Sequence, residues 1–164
     1  ARSAGIPLTD LDAVAEIDLA IDGADQEADG DLVKGGGGAH AREKLVASAA
    51  ERFVVVIDPS KEADRLSRAV PVEVLPPATS VVASRVRDVG GVAELRAAQR
   101  KDGPVVTDNG NLILDCDFGP IDDPGALSSS LDSLPGVVAQ GLFVEMADDV
   151  VVGESGGVRT RRYG

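Results

Sequence analysis

Side chains that could carry out chemistry crowd into the stretch between positions 22 and 43. Asp22 and Asp25 stand three residues apart in the sequence DGAD, directly after a short apolar run. An apolar run followed by Asp-Gly predicts a buried strand that ends in a loop. Loops at the carboxyl ends of parallel strands are where α/β proteins bind ligands, so both carboxylates could face one cavity. Taken alone, these acids are more often a helix cap and a solvated turn.

A lysine and four glycines follow in the sequence KGGGGA, from Lys34 to Ala39. Consecutive glycines let backbone N–H groups approach an oxyanion closely, and the positive end of a following helix adds to the attraction. The spacing matches neither the dinucleotide fingerprint nor the nucleoside-triphosphate loop. A flexible linker is the alternative, but a helical pattern begins directly after the glycines. We therefore predict a loop that binds negatively charged oxygen.

Glu43 lies between Arg42 and Lys44, about one turn into the helix that is predicted to follow the glycines. From there its carboxylate can reach over the glycine loop. Most such glutamates are surface acids paired with a lysine or arginine. Each of the three features is weak by itself, but their order and spacing together predict one functional site.

Metal and redox chemistry find little support in the composition. His40 is the only histidine and Cys116 the only cysteine, and they are far apart in the chain. No cluster has the spacing of metal ligands, so we expect no metal and no cofactor, with His40 supporting the site or lying on the surface. A lone cysteine cannot form an intramolecular disulfide, which favours a reducing cytoplasm. No apolar run reaches the roughly 18 residues that span a membrane.

The formal net charge is −12, from 28 acidic and 16 basic residues. This charge repels nucleic acid and anionic membrane surfaces, so we expect neither as a partner. Few of the basic residues are lysines. An acidic, lysine-poor surface resembles proteins adapted to concentrated salt, where screening removes the self-repulsion. Compositional bias of the genome is the alternative.

The first half of the chain predicts alternating strands and helices, which must position these residues. Residues 13–21 predict a strand, residues 26–30 a turn, the stretch from Ala39 onward a helix, and residues 53–57 a second buried strand. Strand, loop, helix and strand predict a right-handed βαβ crossover in a parallel sheet.

The character of the chain changes after Lys61. The sequence PVEVLPPA at residues 71–78 predicts an extended edge strand or linker, because it holds three prolines. Residues 105–116 predict a hairpin around Asn109-Gly110. Further on, the pattern predicts helices at residues 79–89 and 123–134 and strands at residues 137–144 and 149–153.

This organisation predicts an α/β fold: a Rossmann-like parallel sheet followed by a small α+β subdomain. We expect the α/β part to span residues 1–72, the small subdomain residues 73–145, and a C-terminal strand and tail, residues 146–164, to return to the α/β part.

The motifs DGAD, KGGGGA, REK and DPSK, in this order, resemble the ribose-5-phosphate isomerase family of the A type. The resemblance continues through PVEVLPPA, VVTDNGN and LPGVVAQGLF and so covers nearly the whole chain. It implies an aldose–ketose isomerase of the non-oxidative pentose phosphate pathway. The implied reaction interconverts D-ribose 5-phosphate and D-ribulose 5-phosphate through an enediolate, without a metal. It also implies a homodimer or homotetramer, with the small subdomain as the contact surface.

The resemblance also implies roles for individual residues. Glu43 matches the base that moves a proton between the first two sugar carbons. Asp22 matches the acid implicated in ring opening and hydroxyl proton handling, while Asp25 and Lys34 match residues that orient and stabilise the enediolate oxygens. Lys61 of DPSK matches a phosphate-binding lysine. The remaining expected substrate contacts are Gly23, Ala24, Gly35, Gly36 and Gly37.

The family pattern normally opens with a strand and a Thr-Gly-Ser-Thr-type phosphate loop, and neither occurs in this sequence. We therefore expect a sheet that lacks its N-terminal strand and phosphate loop, as in a fragment of a longer protein. Two alternatives stay open: a non-catalytic effector domain that senses a sugar phosphate, and an inactive fragment of the isomerase. Retention of Asp22, Asp25, Lys34 and Glu43 together argues against the sensor.

Overall fold

The computed structural model describes residues 1–99 and 102–164. Within them the chain forms three α-helices and eleven β-strands arranged in three sheets. The helices are α1 (His40–Ala49), α2 (Thr79–Asp88) and α3 (Pro124–Asp132). The strands are β1 (Ala20–Asp22), β2 (Gln26–Ala28), β3 (Asp31–Val33), β4 (Phe53–Ile57), β5 (Val70–Val74), β6 (Val92–Leu95), β7 (Leu112–Asp117), β8 (Val137–Gln140), β9 (Leu142–Phe143), β10 (Asp149–Glu154) and β11 (Gly157–Arg162).

The first sheet carries the predicted parallel α/β arrangement. Its order is β1-β4-β10-β11, and β4 pairs in parallel with both β1 and β10. The valine-rich strand β4 lies in the centre, where β-branched side chains pack well. Its alternate residues Phe53, Val55 and Ile57 are buried in a core that β10 and Phe143 complete. The α/β fold class is therefore confirmed. The first strand is shorter than the predicted run from residue 13, and the edge strand β11 was not predicted.

The chain forms the hairpin β2-β3 between β1 and α1, and the distant strand β9 pairs with β3 to complete a three-stranded antiparallel sheet, β2-β3-β9. The prediction of a turn over residues 26–30 was wrong for its first half, where β2 pairs with β3. The turn itself is confined to Asp29 and Gly30, both at positive φ. Asp and Gly are the residues that tolerate this conformation in a hairpin.

The third sheet is antiparallel, with the order β6-β7-β5-β8 and with α2 and α3 contributing to its core. The prediction of an edge strand or linker at residues 71–78 was wrong, because β5 is a central strand paired with β7 and β8 and buried throughout. Pro71 is tolerated there because its carbonyl points beyond the end of β8, where it accepts from the Gly141 N–H. The N–H group that proline lacks would point to the same side of β5, beyond the hydrogen-bond ladder between β5 and β8.

Gly141 divides the strand predicted over residues 137–144. Before it, β8 belongs to the large antiparallel sheet, and after it, β9 pairs with β3 in the small sheet. A Cβ at Gly141 would lie 2.3 Å from the Lys34 carbonyl oxygen and 2.8 Å from the Pro71 ring. The absence of a side chain therefore lets the two sheets meet beside Lys34.

The DNGN segment forms the predicted tight turn, since the Thr107 N–H donates to the Asn111 carbonyl. Its first arm makes only an isolated bridge, Val106 to Leu112. The antiparallel partners of β7 are instead β5 and β6, and β6 was not predicted. The proposed domain boundary after residue 72 falls within β5, and the division into domains stays a prediction. No helix in the described residues is long and apolar enough to cross a membrane.

Candidate active site

A pocket of about 210 Å³ opens at the carboxyl end of β1. The glycine loop and the first turn of α1 close its other sides. Nine of the ten predicted site residues line it: Asp22, Gly23, Ala24, Asp25, Lys34, Gly35, Gly36, Gly37 and Glu43. The structure therefore brings the three sequence features together, as their spacing predicted.

Lys34 is the central cation of the pocket. Its Nζ lies 2.8 Å from Asp22 Oδ2 and 3.2 Å from Glu43 Oε2, and it also donates to the Gly23 carbonyl. The residue is only 3% exposed, so its ammonium interacts with both carboxylates with little screening by water. One buried ammonium thus pairs with two carboxylates. It also lies where it could stabilise negative charge on a bound substrate.

Asp25 fixes the glycine loop from the pocket side. Its Oδ2 accepts from the Gly36 N–H at 2.7 Å, while its own N–H donates to the Val33 carbonyl. A Cβ at Gly36 would lie 2.7 Å from Asp25 Oδ1, so a side chain at this position would push the carboxylate away. The loop therefore approaches the acids as closely as glycine allows.

Glu43 lies in the first turn of α1, with its side chain 26% exposed. Its two basic neighbours anchor the helix, one to the DNGN turn and the other to the antiparallel sheets. Arg42 donates to Asn109 Oδ1 at 2.9 Å and to the Asp108 carbonyl at 3.0 Å. Lys44 Nζ donates to the carbonyls of Gln140 and Leu142, and burial lowers the pKa of this lysine to about 8. The carboxylate is thus held on a helix that is fixed on both sides.

Lys61 is the one predicted site residue that does not line this pocket. It ends the short 3-10 helix Pro59–Lys61 directly after β4, and Asp58 caps this helix by accepting from the Ser60 N–H. Because β1 and β4 are parallel neighbours, Lys61 follows the same edge of the sheet as Asp22. Its predicted phosphate contact would therefore be made at the margin of the site.

Two supporting residues, Arg96 and Glu73, could not be recognised from the sequence. Arg96, which follows β6, donates to the carbonyls of Gly35 and Gly36. Glu73 on β5 is fully buried, and its Oε1 accepts from Thr107, Asn109 and Asn111 of the DNGN turn. The sequence VVTDNGN predicts the turn, but no local pattern indicates that Glu73 is the buried acid that holds this turn.

His40, predicted to support the site or to lie on the surface, is fully buried beneath the glycine loop. A Cβ at Gly35 would lie 2.7 Å from its Nδ1. Neither ring nitrogen has a hydrogen-bond partner among residues 1–99 and 102–164. Burial lowers the pKa of His40 to about 4, with Glu73 and the backbone of Ala139 opposing the shift and Arg96 and Lys44 adding to it. The ring is therefore neutral in the folded protein at neutral pH.

This pKa predicts a loss of stability in acid. Below the ordinary histidine pKa of about 6.5, His40 takes up a proton in the unfolded chain. In the folded chain the same ring stays neutral down to about pH 4. The stabilising contribution is thus complete at neutral pH and falls by about 3 kcal/mol as the pH drops to 4. Urea unfolding of the wild type and of His40→Leu should show the steeper acid loss in the wild type. Parallel pH dependences would contradict the assignment.

The described residues contain no group of three or more His, Cys, Asp or Glu side chains arranged to hold a metal ion. The pocket's polar groups are instead one ammonium, three carboxylates and backbone N–H groups. Such a set can remove a proton and stabilise negative charge on oxygen.

Comparisons with known proteins agree with this chemistry. Residues 1–157 match the family model for ribose 5-phosphate isomerase A (phosphoriboisomerase A). A ribose-5-phosphate isomerase A from Haloarcula marismortui is 63% identical over 161 residues, which cover 98% of this chain and 70% of that protein. This relative comes from a halophile, in agreement with the acidic composition.

Two solved structures share the fold. Ribose 5-phosphate isomerase A from Methanocaldococcus jannaschii has a TM-score of 0.93 at 43% identity, covering 99% of this chain and 72% of the other. A D-ribose-5-phosphate isomerase in complex with phospho-erythronic acid has a TM-score of 0.95 at 40% identity, with the same coverage. The family match over almost the whole chain and the high identity of its relatives establish that the chain belongs to the ribose 5-phosphate isomerase A family.

Proposed function

We propose that this chain interconverts D-ribose 5-phosphate and D-ribulose 5-phosphate in the pocket between β1, the glycine loop and α1. The observation that carries the proposal is the buried ammonium of Lys34, in contact with both Asp22 and Glu43. A carboxylate base and a fixed positive donor, side by side, are the two groups that enolisation next to a carbonyl needs.

The reaction moves one proton from C2 to C1 of the open-chain sugar. We propose that Glu43 removes the C2 proton as the C2–H electrons form a carbon–carbon double bond and the C1 carbonyl oxygen becomes negative. The protonated Glu43 then returns the proton to C1, and the O2 hydroxyl proton passes to O1, which leaves a carbonyl at C2. The hydrogen moves as a proton within one substrate, so no redox partner takes part.

The negative oxygen of the enediolate must be met by donors already in place. Lys34 Nζ is such a donor, and the N–H of Gly37 is another, because it makes no hydrogen bond to other described residues. We propose that Asp22, which holds Lys34 on its outer side, handles the hydroxyl proton during ring opening. Asp25 orients the substrate from the position that the Gly36 N–H fixes.

Lys61→Ala should mainly weaken substrate binding. A lysine at the margin of the site can contact the phosphate but is too remote to act on C1 or C2. Its loss should therefore raise KM by about 10-fold and leave kcat within about 3-fold. Steady-state kinetics with ribose 5-phosphate measure both constants, and Arg65→Ala, which removes an exposed charge paired with Asp122, is the control. A loss confined to kcat would contradict this role.

The direct test of the function is an assay of this chain on ribose 5-phosphate with and without EDTA. We expect turnover that the chelator leaves unchanged. Binding of phospho-erythronic acid without turnover would instead support the non-catalytic sensor, and neither binding nor turnover would support the inactive fragment.

We also propose a homodimer or homotetramer whose contact surface lies in the small α+β subdomain, and a cytoplasmic location. The oligomeric state rests on the family resemblance, and the location rests on the single cysteine of the sequence. Light scattering coupled to size-exclusion chromatography at several salt concentrations measures the oligomeric state.

A further inference from the structure

The glycine loop is held from behind by a residue of another sheet. Arg96 follows β6, and its Nη1 donates to the carbonyl of Gly35, 61 residues away in the sequence, at 2.9 Å and to that of Gly36 at 3.2 Å. The Arg96 backbone is itself fixed, because its N–H donates to Ile113 and its carbonyl accepts from Val105. The arginine is thus a rigid link from the antiparallel sheet to the loop.

Asp115 of β7 orients the guanidinium. It accepts from Arg96 Nε at 2.8 Å through Oδ2 and from Nη2 through Oδ1. This two-point pairing uses one edge of the planar group and leaves Nη1 directed at the loop. The Arg96 side chain is only 16% exposed and that of Asp115 is 33% exposed, so water competes weakly for these bonds. A lysine could not make the same set of contacts, because its ammonium lacks the planar fork.

Holding a carbonyl also orients an N–H group. In a trans peptide the C=O and the N–H point in opposite directions. The Gly35 carbonyl points at Arg96, and the N–H of the same peptide, that of Gly36, donates to Asp25 on the pocket side. The next peptide has its Gly36 carbonyl on Arg96 as well, so the N–H of Gly37 also points to the pocket side.

We propose that Arg96 is a positioning residue that keeps the N–H groups of Gly36 and Gly37 turned toward Asp25 and the substrate. Without it, glycine peptides can rotate through conformations closed to other residues, and ordering them would consume binding free energy at each turnover. The Asp115 carboxylate offsets the charge of the guanidinium, so Arg96 contributes by orienting the loop. This inference rests on the proposed isomerase function, but it concerns a residue that does not line the pocket.

The test compares Arg96→Ala with Arg52→Ala. Arg52 also pairs with an aspartate, Asp149, but precedes β4 and so lies at the opposite edge of the sheet. We expect Arg96→Ala to lower kcat by about 10-fold to 100-fold, less than the loss of a direct oxyanion donor. Millimolar guanidinium ion should restore part of this kcat, whereas potassium chloride at equal ionic strength should not. Arg52→Ala should stay near the wild-type kcat and be unaffected by guanidinium.

A kcat loss no larger in Arg96→Ala than in Arg52→Ala would overturn the inference, as would an equal response to guanidinium and potassium. If Arg96→Ala does not fold, Asp115→Asn provides the test: it keeps the guanidinium but weakens its support, and kcat should fall by about 3-fold to 10-fold. An unchanged kcat in that variant would also overturn the inference. Failure of the wild type to turn over ribose 5-phosphate would instead overturn the proposed function, so the two failures are distinguishable.

Discussion

Replacing Glu43 by glutamine should lower kcat for ribose 5-phosphate by at least ~100-fold, the usual contribution of a positioned base. The amide has the shape of the carboxylate but cannot accept the C2 proton. Glu43 is partly exposed and its helix is anchored by Arg42 and Lys44, so the fold should stay intact. Circular dichroism and the melting temperature check the fold, and steady-state kinetics measure kcat and KM.

Glu51→Gln is the matched control for this variant. Glu51 is an exposed acid directly beyond α1, so its substitution makes the same change of charge outside the pocket. We expect wild-type kinetics from it. Near-normal turnover in Glu43→Gln would remove Glu43 from the mechanism, and an equal loss in both variants would point to net charge instead of proton transfer.

Replacing Lys34 by methionine should lower kcat by a comparable factor, at least ~100-fold. The substitution keeps an unbranched side chain but removes the donor to the developing oxyanion. It also leaves Asp22 and Glu43 without the ammonium that lies 2.8 and 3.2 Å from them. A pocket whose carboxylates have lost their ammonium partner is poorly suited to take up further negative charge. Titration with phospho-erythronic acid measures binding separately from turnover.

The double variant Glu43→Gln/Lys34→Met sharpens this test. Because base and oxyanion donor serve the same transition state, their losses should be strongly non-additive. The double variant should be little slower than the slower single variant. Losses that multiply would show that the two groups act independently, and wild-type turnover in Lys34→Met would exclude the lysine from the mechanism.

Much of the pocket could be predicted from the sequence because its parts are close along the chain. DGAD follows a strand, KGGGGA precedes a helix, and Glu43 lies about one turn into that helix, so local geometry places all three at one strand end. Nine predicted residues accordingly line one pocket. Lys61 lies on a separate element, and its distance from the pocket could not be derived from spacing.

The antiparallel part was predicted less well because its pairing is non-local. Three prolines in residues 71–78 indicated an edge strand or linker, but β5 is a central strand paired with β7 and β8. It tolerates Pro71 because this residue lies beyond the end of β8. The largely apolar pattern of residues 137–144 indicated one strand, but the chain leaves one sheet and enters another at Gly141. In both places tertiary packing overrides a local propensity.

The sequence by itself determined the family, the α/β class and the groups that can do proton transfer, because ordered motifs and short-range turns are local properties. Only the tertiary structure decided what holds those groups in position. Arg96 contacts the glycine loop from 61 residues away in the sequence. Glu73 accepts from Asn109 of the DNGN turn, and Asn109 accepts from Arg42. These contacts depend on how the sheets pack against each other, and no spacing along the chain encodes the side of a sheet on which a distant side chain meets the site.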